Sequence, residues 1–309
     1  MHNINVLYCF DNKFWKLAAV SMRSLLQSKN NDTFISIYCM VPRGTCRAAR
    51  RKIEAMAAGF PNCQIIWRKI SQRENPFKNH SFSRWSPVIF YRLFAHKVFP
   101  HLNRILYLDS DTMIFGDLAS LYETDLNNCI MGAVVDCAQV DDYNNYMGQT
   151  IRKFQEKYIP NGFYINSGVL LLDLTRRAEL DTLPLTEIPC EFACPDQDLI
   201  NMVFAERIKY LSLRYNFTDA ASVSKAYDQS DFHNARQNYI IYHFYSCKPF
   251  VLPHSQHNLH LQFIRTAAKF GWDNSTFIKD ELKYQNKKTN IPGLRLFGTQ
   301  MRLFGIRMN

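Results

Sequence analysis

The chain is expected to fold as an α/β protein with parallel strands at its centre, followed by a basic helical C-terminal tail. Three observations carry this reading. Short uninterrupted apolar runs, as in buried strands, alternate with segments whose apolar residues recur at helical spacing. That alternation implies parallel strands joined by right-handed helical crossovers. After about residue 250 the strand signal fades and short helical patterns take over.

The first run, Ile4–Phe10, reads as a strand, and a helical pattern follows through Trp15, Leu17, Val20, Met22, Leu25 and Leu26. Phe34–Val41 is the second strand, a basic helix spans about Thr45 to Ala58, and Cys63–Ile70 is the third strand. A polar loop, Ser71–Trp85, leads to a helix from about Pro87 to Val98, ended by Pro100. Arg104–Leu108 is the fourth strand. Ile130–Asp136 then reads as strand, Tyr143–Tyr158 as helix, Tyr164–Leu174 as strand and Asp196–Arg207 as helix. Lys209–Phe217 and Tyr239–Tyr245 are the last strands, and His260–Phe270 and Thr276–Tyr284 are short helical patterns. This predicts one α/β domain over residues 1–250 and a helical extension over 251–309.

With 309 residues, 47 % apolar and 21 % charged, the chain has an ordinary globular composition and enough length for a large core. No stretch approaches the ~18 uninterrupted apolar residues of a membrane-spanning helix. The opening Met-His-Asn-Ile-Asn-Val-Leu-Tyr-Cys-Phe-Asp lacks the charged start of a signal peptide, so a cytoplasmic location is expected. The nine cysteines are scattered, and Cys190 and Cys194 lack a second pair at zinc-finger spacing; reduced thiols and no structural zinc are expected.

The net charge is +10, and residues 282–309 hold Lys283, Lys287, Lys288, Arg295, Arg302 and Arg307 with no acidic residue. An anionic partner is therefore sought at the C-terminus. There Leu294, Phe297, Met301, Phe304 and Met308 recur at roughly helical spacing. Over 291–309 this suits reversible attachment to an anionic membrane surface, peripheral on the inner face of the cytoplasmic membrane. No nucleic-acid partner is expected, because the tail carries no recognised nucleic-acid motif.

The fourth strand runs into Asp109-Ser110-Asp111. Side chains alternate along a strand, so positions 109 and 111 share a face if strand geometry continues to Asp111. Their carboxylates could then converge on a hard divalent cation such as Mg²⁺ or Mn²⁺, at the strand end where open α/β sheets bind ligands. The same triplet is also good turn chemistry that needs no ligand. The chain has no Gly-x-Gly-x-x-Gly and no Gly-x4-Gly-Lys-Ser/Thr, so any bound phosphate must be held by a metal and basic side chains.

Other polar stops stand out. Asp11-Asn12 follows the first strand, and Tyr91-Arg92-Leu93 precedes the aspartate strand. Asn166-Ser167-Gly168 lies within a strand, and Pro195-Asp196-Gln197-Asp198 opens a helix, where Asp196 also reads as a plain N-cap. His243, then Lys248-Pro249-Phe250, closes the last strand.

Five blocks, in order, resemble glycosyltransferase family 8: Leu108-Asp-Ser-Asp-Thr112, Tyr164-Ile-Asn-Ser-Gly-Val-Leu-Leu-Leu-Asp-Leu174, Pro195-Asp-Gln-Asp-Leu-Ile-Asn201, Arg214-Tyr-Asn-Phe217, and Tyr242-His-Phe244 with Lys248-Pro-Phe250. With the first strand they cover residues 4–250. The resemblance implies a GT-A-type, Rossmann-like domain with a mostly parallel, mixed sheet. It further implies a retaining, UDP-sugar-dependent enzyme like the bacterial lipooligosaccharide and lipopolysaccharide galactosyl- and glucosyltransferases. A metal, Mn²⁺ or Mg²⁺, held by Asp109, Asp111 and His243 would neutralise the departing diphosphate, with Lys248 adding a point charge. The resemblance places Asp11, Asn12 and Ser110 with the donor nucleotide, Asn12 at its ribose or uracil. It places Arg92 at the donor sugar or phosphate, and Asp136, Asn166, Asp196 and Gln197 around the donor sugar and reacting centre.

The chain departs from the family pattern in two places, around 246–250 and at Phe10. Ser246 replaces a glycine, the interval from His243 to Lys248 is one residue short and Phe250 replaces a tryptophan, while Phe10 stands where an acid often precedes Asp11. A retaining transfer needs either an enzyme nucleophile or a front-side attack in which the leaving phosphate takes the acceptor proton; the second is favoured, with Asp136, Asp196 and Gln197 as possible participants. The expected substrates are a UDP-hexose and a saccharide or glycolipid acceptor. The alternatives are a non-catalytic nucleotide-sugar-binding protein and an aspartate-nucleophile phosphohydrolase. The latter wants threonine or valine where Met113 stands.

Overall fold

The computed structural model describes residues 2–77, 86–137, 146–184, 192, 194–218, 226–245, 248–250, 257–280, 302–303 and 306–307. The apolar runs form strands β1 (His2–Cys9), β2 (Thr33–Pro42), β3 (Cys63–Ile70) and β4 (Arg104–Leu108). They continue as β5 (Thr112–Ile114), β6 (Met131–Val135), β7 (Ile165–Asp173), β8 (Ile208–Tyr210) and β9 (Ile241–His243). Seven of these make one sheet in the order β3-β2-β1-β4-β7-β6-β8. Strands β1 to β4 are parallel, β7 runs against both β4 and β6, and β6 is parallel to β8. A mostly parallel, mixed sheet results. Its centre is dry: Val6, Leu7, Tyr8, Ile105 and Leu106 are fully buried, which is why these strands read as unbroken apolar runs.

The main crossover helices are α1 (Trp15–Ser28) and α2 (Arg47–Ala57), with short turns α3 (Ala95–Val98) and α4 (Ala119–Tyr122). Helix α1 does more than cover the sheet. Its buried Ser24 hydroxyl accepts from Ile114 N at 2.9 Å, and Ser21 Oγ is 2.8 Å from Thr112 Oγ1, so α1 holds β5 in place directly after the aspartate triplet. Further along come α5 (Tyr146–Tyr158), α6 (Arg177–Leu180), α7 (Pro195–Phe204) and α8 (Gln229–Asn238).

Besides the short β5, α4 and α6, which the sequence reading did not assign, four differences from it have a clear physical reason. Residues Pro87–Phe94 form a 3-10 helix, with only α3 continuing as α-helix. Apart from Arg92 this run is apolar, and Val88 and Phe90 to Phe94 are all buried, so it offers no polar face for a helical period to mark. A 3-10 run this long is uncommon, and it delivers Arg92 inward. The expected strand over 209–217 stops at Tyr210. The Tyr227 hydroxyl receives Val135 N at 3.3 Å and donates to Leu211 O at 2.5 Å, inserting itself where β6 and β8 would have gone on pairing. Helix α8, unforeseen, starts with an Asp228–Asp231 capping box and buries only Ala235, too little for an amphipathic signal. In the tail, Arg302–Leu303 pairs antiparallel with Ile306–Arg307 rather than continuing a helix. The remainder of the tail segment, 291–301, 304–305 and 308–309, with Leu294, Phe297, Met301, Phe304 and Met308 of the apolar series, lies outside the described residues.

The chain divides into two compact units, Met1–His243 and Phe244–Asn309. In the second, α9 (His257–Ala268) and a helical segment over 274–280 bury Phe263, Phe270, Trp272 and Phe277. Phe270 and Trp272 stack at 4.5 Å. Among the described residues, no helix is long and apolar enough to cross a membrane.

Candidate active site

Strand β4 ends at Leu108, and the next three residues leave the strand. Thr112 N donates to Asp109 O at 3.3 Å, and Thr112 Oγ1 reaches the same carbonyl at 2.9 Å. Asp109–Thr112 is therefore a β-turn. The expected continuation of strand geometry to Asp111 is corrected: a turn, not the pleat, brings the carboxylates together. Turn chemistry and ligand site are one feature here.

Leaving the turn, β5 pairs with β9 so that Thr112 lies opposite His243. His243 Nε2 sits 3.3 Å from Asp111 Oδ1 and 3.6 Å from Asp109 Oδ2. One donor atom from each of the three residues falls within 4.8 Å of the others. On the far side of the ring, His243 Nδ1 is 2.9 Å from Asn216 Oδ1, an oxygen that only accepts. Nδ1 therefore carries the proton and Nε2 turns its lone pair toward the carboxylates. Two carboxylate oxygens and an imidazole nitrogen make a donor set that fits a divalent cation of the Mn²⁺ or Mg²⁺ kind.

Strand β7 supplies the floor. Its pairing with β6 slips between Ala133, opposite Leu170, and Val134, opposite Asn166, leaving Ser167, Gly168 and Val169 unmatched on that side. The bulge frees backbone groups for side chains of the site. Ser167 N donates to Gln197 Oε1 at 2.9 Å, Gly168 N to Asn166 Oδ1 at 2.9 Å, and Gly168 O accepts from Asp109 N at 2.8 Å. Gln197 and Asn166 both donate to Asp136 Oδ2 at 3.1 Å, just past the end of β6. Asp136, Asn166 and Gln197 thus meet, although β6, β7 and α7 are far apart in sequence.

Arg92 ties this floor to the aspartate turn. Its side chain is 4 % exposed, and Nη2 pairs with Asp196 Oδ2 at 2.9 Å while Nη1 reaches Asp109 Oδ1 at 3.2 Å and Ser167 O at 2.7 Å. The guanidinium also lies over the Tyr107 ring, 4.2 Å from its centroid. Burial opposes the charge on Arg92, but Tyr107, Asp196 and Asp109 outweigh it and raise its pKa above the usual value. Asp196 is itself pushed up by burial, against the pull of Arg92. The N-cap reading of Asp196 is corrected too: Cys194 holds that position, and Asp196 is the second residue of α7.

At the end of β1 the predicted residues are engaged differently. Asp11 Oδ1 accepts from Lys13 N at 2.8 Å and Phe14 N at 3.3 Å, and Oδ2 accepts from Ser86 Oγ at 2.9 Å. Asn12 binds Gly44 O at 2.9 Å and Cys46 N at 2.7 Å, holding the loop after β2. Ser110 is buried at the tip of the aspartate turn. Lys248 belongs to the second unit, in a turn whose Pro249 O accepts from His260 Nδ1 at 2.8 Å.

Sequence reasoning passed over several residues of the site. Tyr107 donates to Asp109 Oδ1 at 2.5 Å, and Asn201 clamps the backbone of Ile165 at 2.7 and 3.0 Å. Asn216 and Gly168 frame His243. Asn201, Asn216 and Gly168 all lie inside the family-like blocks, which was the available signal; Tyr107 looked like one more residue of an apolar strand.

The comparisons with known proteins agree with this architecture. Residues 5–250 match the family described as Glycosyl transferase family 8. A lipopolysaccharide 1,2-glucosyltransferase of Escherichia coli is 28 % identical over 223 residues, which cover 69 % of this chain and 62 % of that protein. Glycosyltransferase GlyF of Streptococcus pneumoniae is 32 % identical over 219 residues, covering 69 % of this chain and 48 % of its own length. These matches span less than two thirds of each relative. The galactosyltransferase LgtC, solved with donor and acceptor sugar analogues, superposes with a TM-score of 0.69 at 20 % identity over 90 % of this chain and 100 % of its own. The sheet is thus of the GT-A kind, and the chain belongs to glycosyltransferase family 8.

Proposed function

We propose that this chain is a metal-dependent, retaining hexosyltransferase that moves galactose or glucose from a UDP-sugar to a saccharide acceptor, a lipopolysaccharide, lipooligosaccharide or other surface glycan. The observation that carries the proposal is the convergence of Asp109, Asp111 and His243 at the carboxyl end of β4. Mn²⁺, or Mg²⁺, held by these three residues would supply positive charge to the leaving diphosphate. The family resemblance assigns to Lys248 a second positive charge on that diphosphate, and to Asp11, Asn12 and Ser110 the nucleotide. The hexose and acceptor class follow the names of the relatives, a lipopolysaccharide glucosyltransferase and a galactosyltransferase.

Around the sugar, Arg92 fixes Asp109 and Asp196 on either side of itself, and Gln197 and Asn166 hold Asp136. Asp196 is buried against a guanidinium, which makes it a poor free nucleophile. This favours front-side attack, in which the acceptor oxygen bonds to the anomeric carbon as the diphosphate leaves and takes the acceptor proton. Preorganised dipoles of Gln197 and Asp136 would stabilise the oxocarbenium-like charge.

The deciding experiment is a UDP-sugar panel on purified protein with Mn²⁺, Mg²⁺ or EDTA, reading hydrolysis and transfer. Turnover of UDP-galactose or UDP-glucose that EDTA abolishes is the expected result; full activity in EDTA rejects the metal assignment. We further place the enzyme at the cytoplasmic face of the membrane through its tail. Deleting residues 291–309 should abolish co-sedimentation with anionic vesicles while sparing UDP-sugar hydrolysis, and equal pelleting of both forms rejects the tail as an anchor.

A further inference from the structure

His243 is presented to the aspartates by its surroundings, and those surroundings are specific. The ring packs closely against Gly168 in the bulge of β7. A Cβ at position 168 would fall 2.2 Å from His243 Cε1 and 2.6 Å from Nδ1, distances no packed side chain can hold. Only glycine leaves room for the imidazole there. Asn216, between the 3-10 turn Leu213–Tyr215 and Phe217, is 4 % exposed. Its Oδ1 receives His243 Nδ1–H at 2.9 Å and its Nδ2 donates to Asn166 Oδ1 at 2.8 Å. The second bond settles the amide orientation, because Asn166 Oδ1 is an acceptor and already receives Gly168 N.

We propose that Asn216 and Gly168 are the positioning residues of the metal centre: Asn216 sets the tautomer and heading of His243, and Gly168 provides the space the ring occupies. This rests on the metal-dependent transferase reading above. The chain of bonds continues from Asn216 to Asn166, then to Asp136 and Gln197. The imidazole and the sugar-side carboxamides are therefore parts of one buried hydrogen-bonded unit, and cutting it at Asn216 disturbs the metal end first. A neutral imidazole binds a cation through Nε2 only while Nδ1 keeps its proton, and an acceptor at Nδ1 both enforces that state and raises the basicity of Nε2.

The test is Mn²⁺ binding by the full-length chain, without substrate, followed by the electron paramagnetic resonance signal of free Mn²⁺. Losing such a ring partner typically costs about 10–100-fold in metal affinity. Asn216→Ala should show that loss while its thermal unfolding confirms a folded protein. Asn216→Asp keeps an acceptor for Nδ1–H and should recover most of the affinity. Gly168→Ala should lose affinity through displacement of the ring, even though it removes no hydrogen-bonding group. In a His243→Ala background, Asn216→Ala should cost nothing further, since its effect passes through the imidazole. Wild-type affinity in both Asn216→Ala and Gly168→Ala overturns the proposal, as does an equal loss with and without His243. Should Asn216→Ala fail to fold, Gly168→Ala and Asn216→Asp carry the test, and wild-type affinity in the first or a full loss in the second overturns it. A wild-type chain that binds no Mn²⁺ overturns instead the metal-dependent reading on which this one stands.

Discussion

Asp11-Asn12 at the end of β1 and Asp109-Ser110-Asp111 at the end of β4 are both short polar stops on buried strands, yet they meet different partners. Asp11 and Asn12 bond mainly to backbone groups of nearby turns, at Lys13, Phe14, Gly44 and Cys46, and are partly open to water. Asp109 and Asp111 meet a buried arginine, a buried histidine and the backbone of β7, brought from distant parts of the chain. At a wet turn, water can replace a lost bond, so each contact is worth little. In the second cluster Asp109 keeps some exposure, but Arg92, Asp196 and His243 are buried, so removing one partner strands another and the cost approaches that of an unpaired buried charge.

This contrast is open to direct attack, and Arg92→Ala should do the most damage. It leaves Asp196 buried beside Asp109 without its counter-charge, and a destabilisation of about 3–5 kcal/mol is expected in urea unfolding. A change of a few tenths would make the β4 cluster behave like a surface. Next in size is Gln197→Ala. It should fold and bind UDP but lose transfer by ~10²-fold, about 2.7 kcal/mol, the scale of one transition-state contact. An unchanged rate in single-turnover assays would take Gln197 out of the reacting centre. Asp11→Ala should be the mildest: about 1 kcal/mol of stability from the lost turn into α1. Its donor KM should move by less than about tenfold. A larger donor effect would erase the distinction between the two strand ends.

How legible each region was follows the same division. The strands of the parallel half could be read because β1 and β2 hold long apolar runs and β3 a short one, Ile65-Ile66-Trp67, each separated by a helix. Asp109 and Asp111 stood out by their spacing, His243 joined them through the family resemblance, and the structure brings the three within reach of one another. The route stayed open between pleat and turn, because no local pattern separates an aspartate on a pleat from one in a turn; the structure shows the turn. The 3-10 form of Pro87–Phe94 was hidden for a related reason, since a run that is apolar but for Arg92 has no polar face to reveal its period. Helix α8 escaped because a surface helix that buries only Ala235 leaves no apolar stripe.

By itself the sequence determined the alternation of strands and helices, the polar stops at strand ends and the membership in a family, because these depend on local hydrophobic pattern and on short motifs. Tertiary structure alone decided which of those stops came together as the candidate site. It did so through the pairing of Thr112 with His243, the bulge that exposes Ser167 and Gly168, and the burial of Arg92 between two aspartates. Each of these is a contact between residues remote in sequence, and its strength comes from the exclusion of water, a property of the folded interior that no stretch of chain has alone.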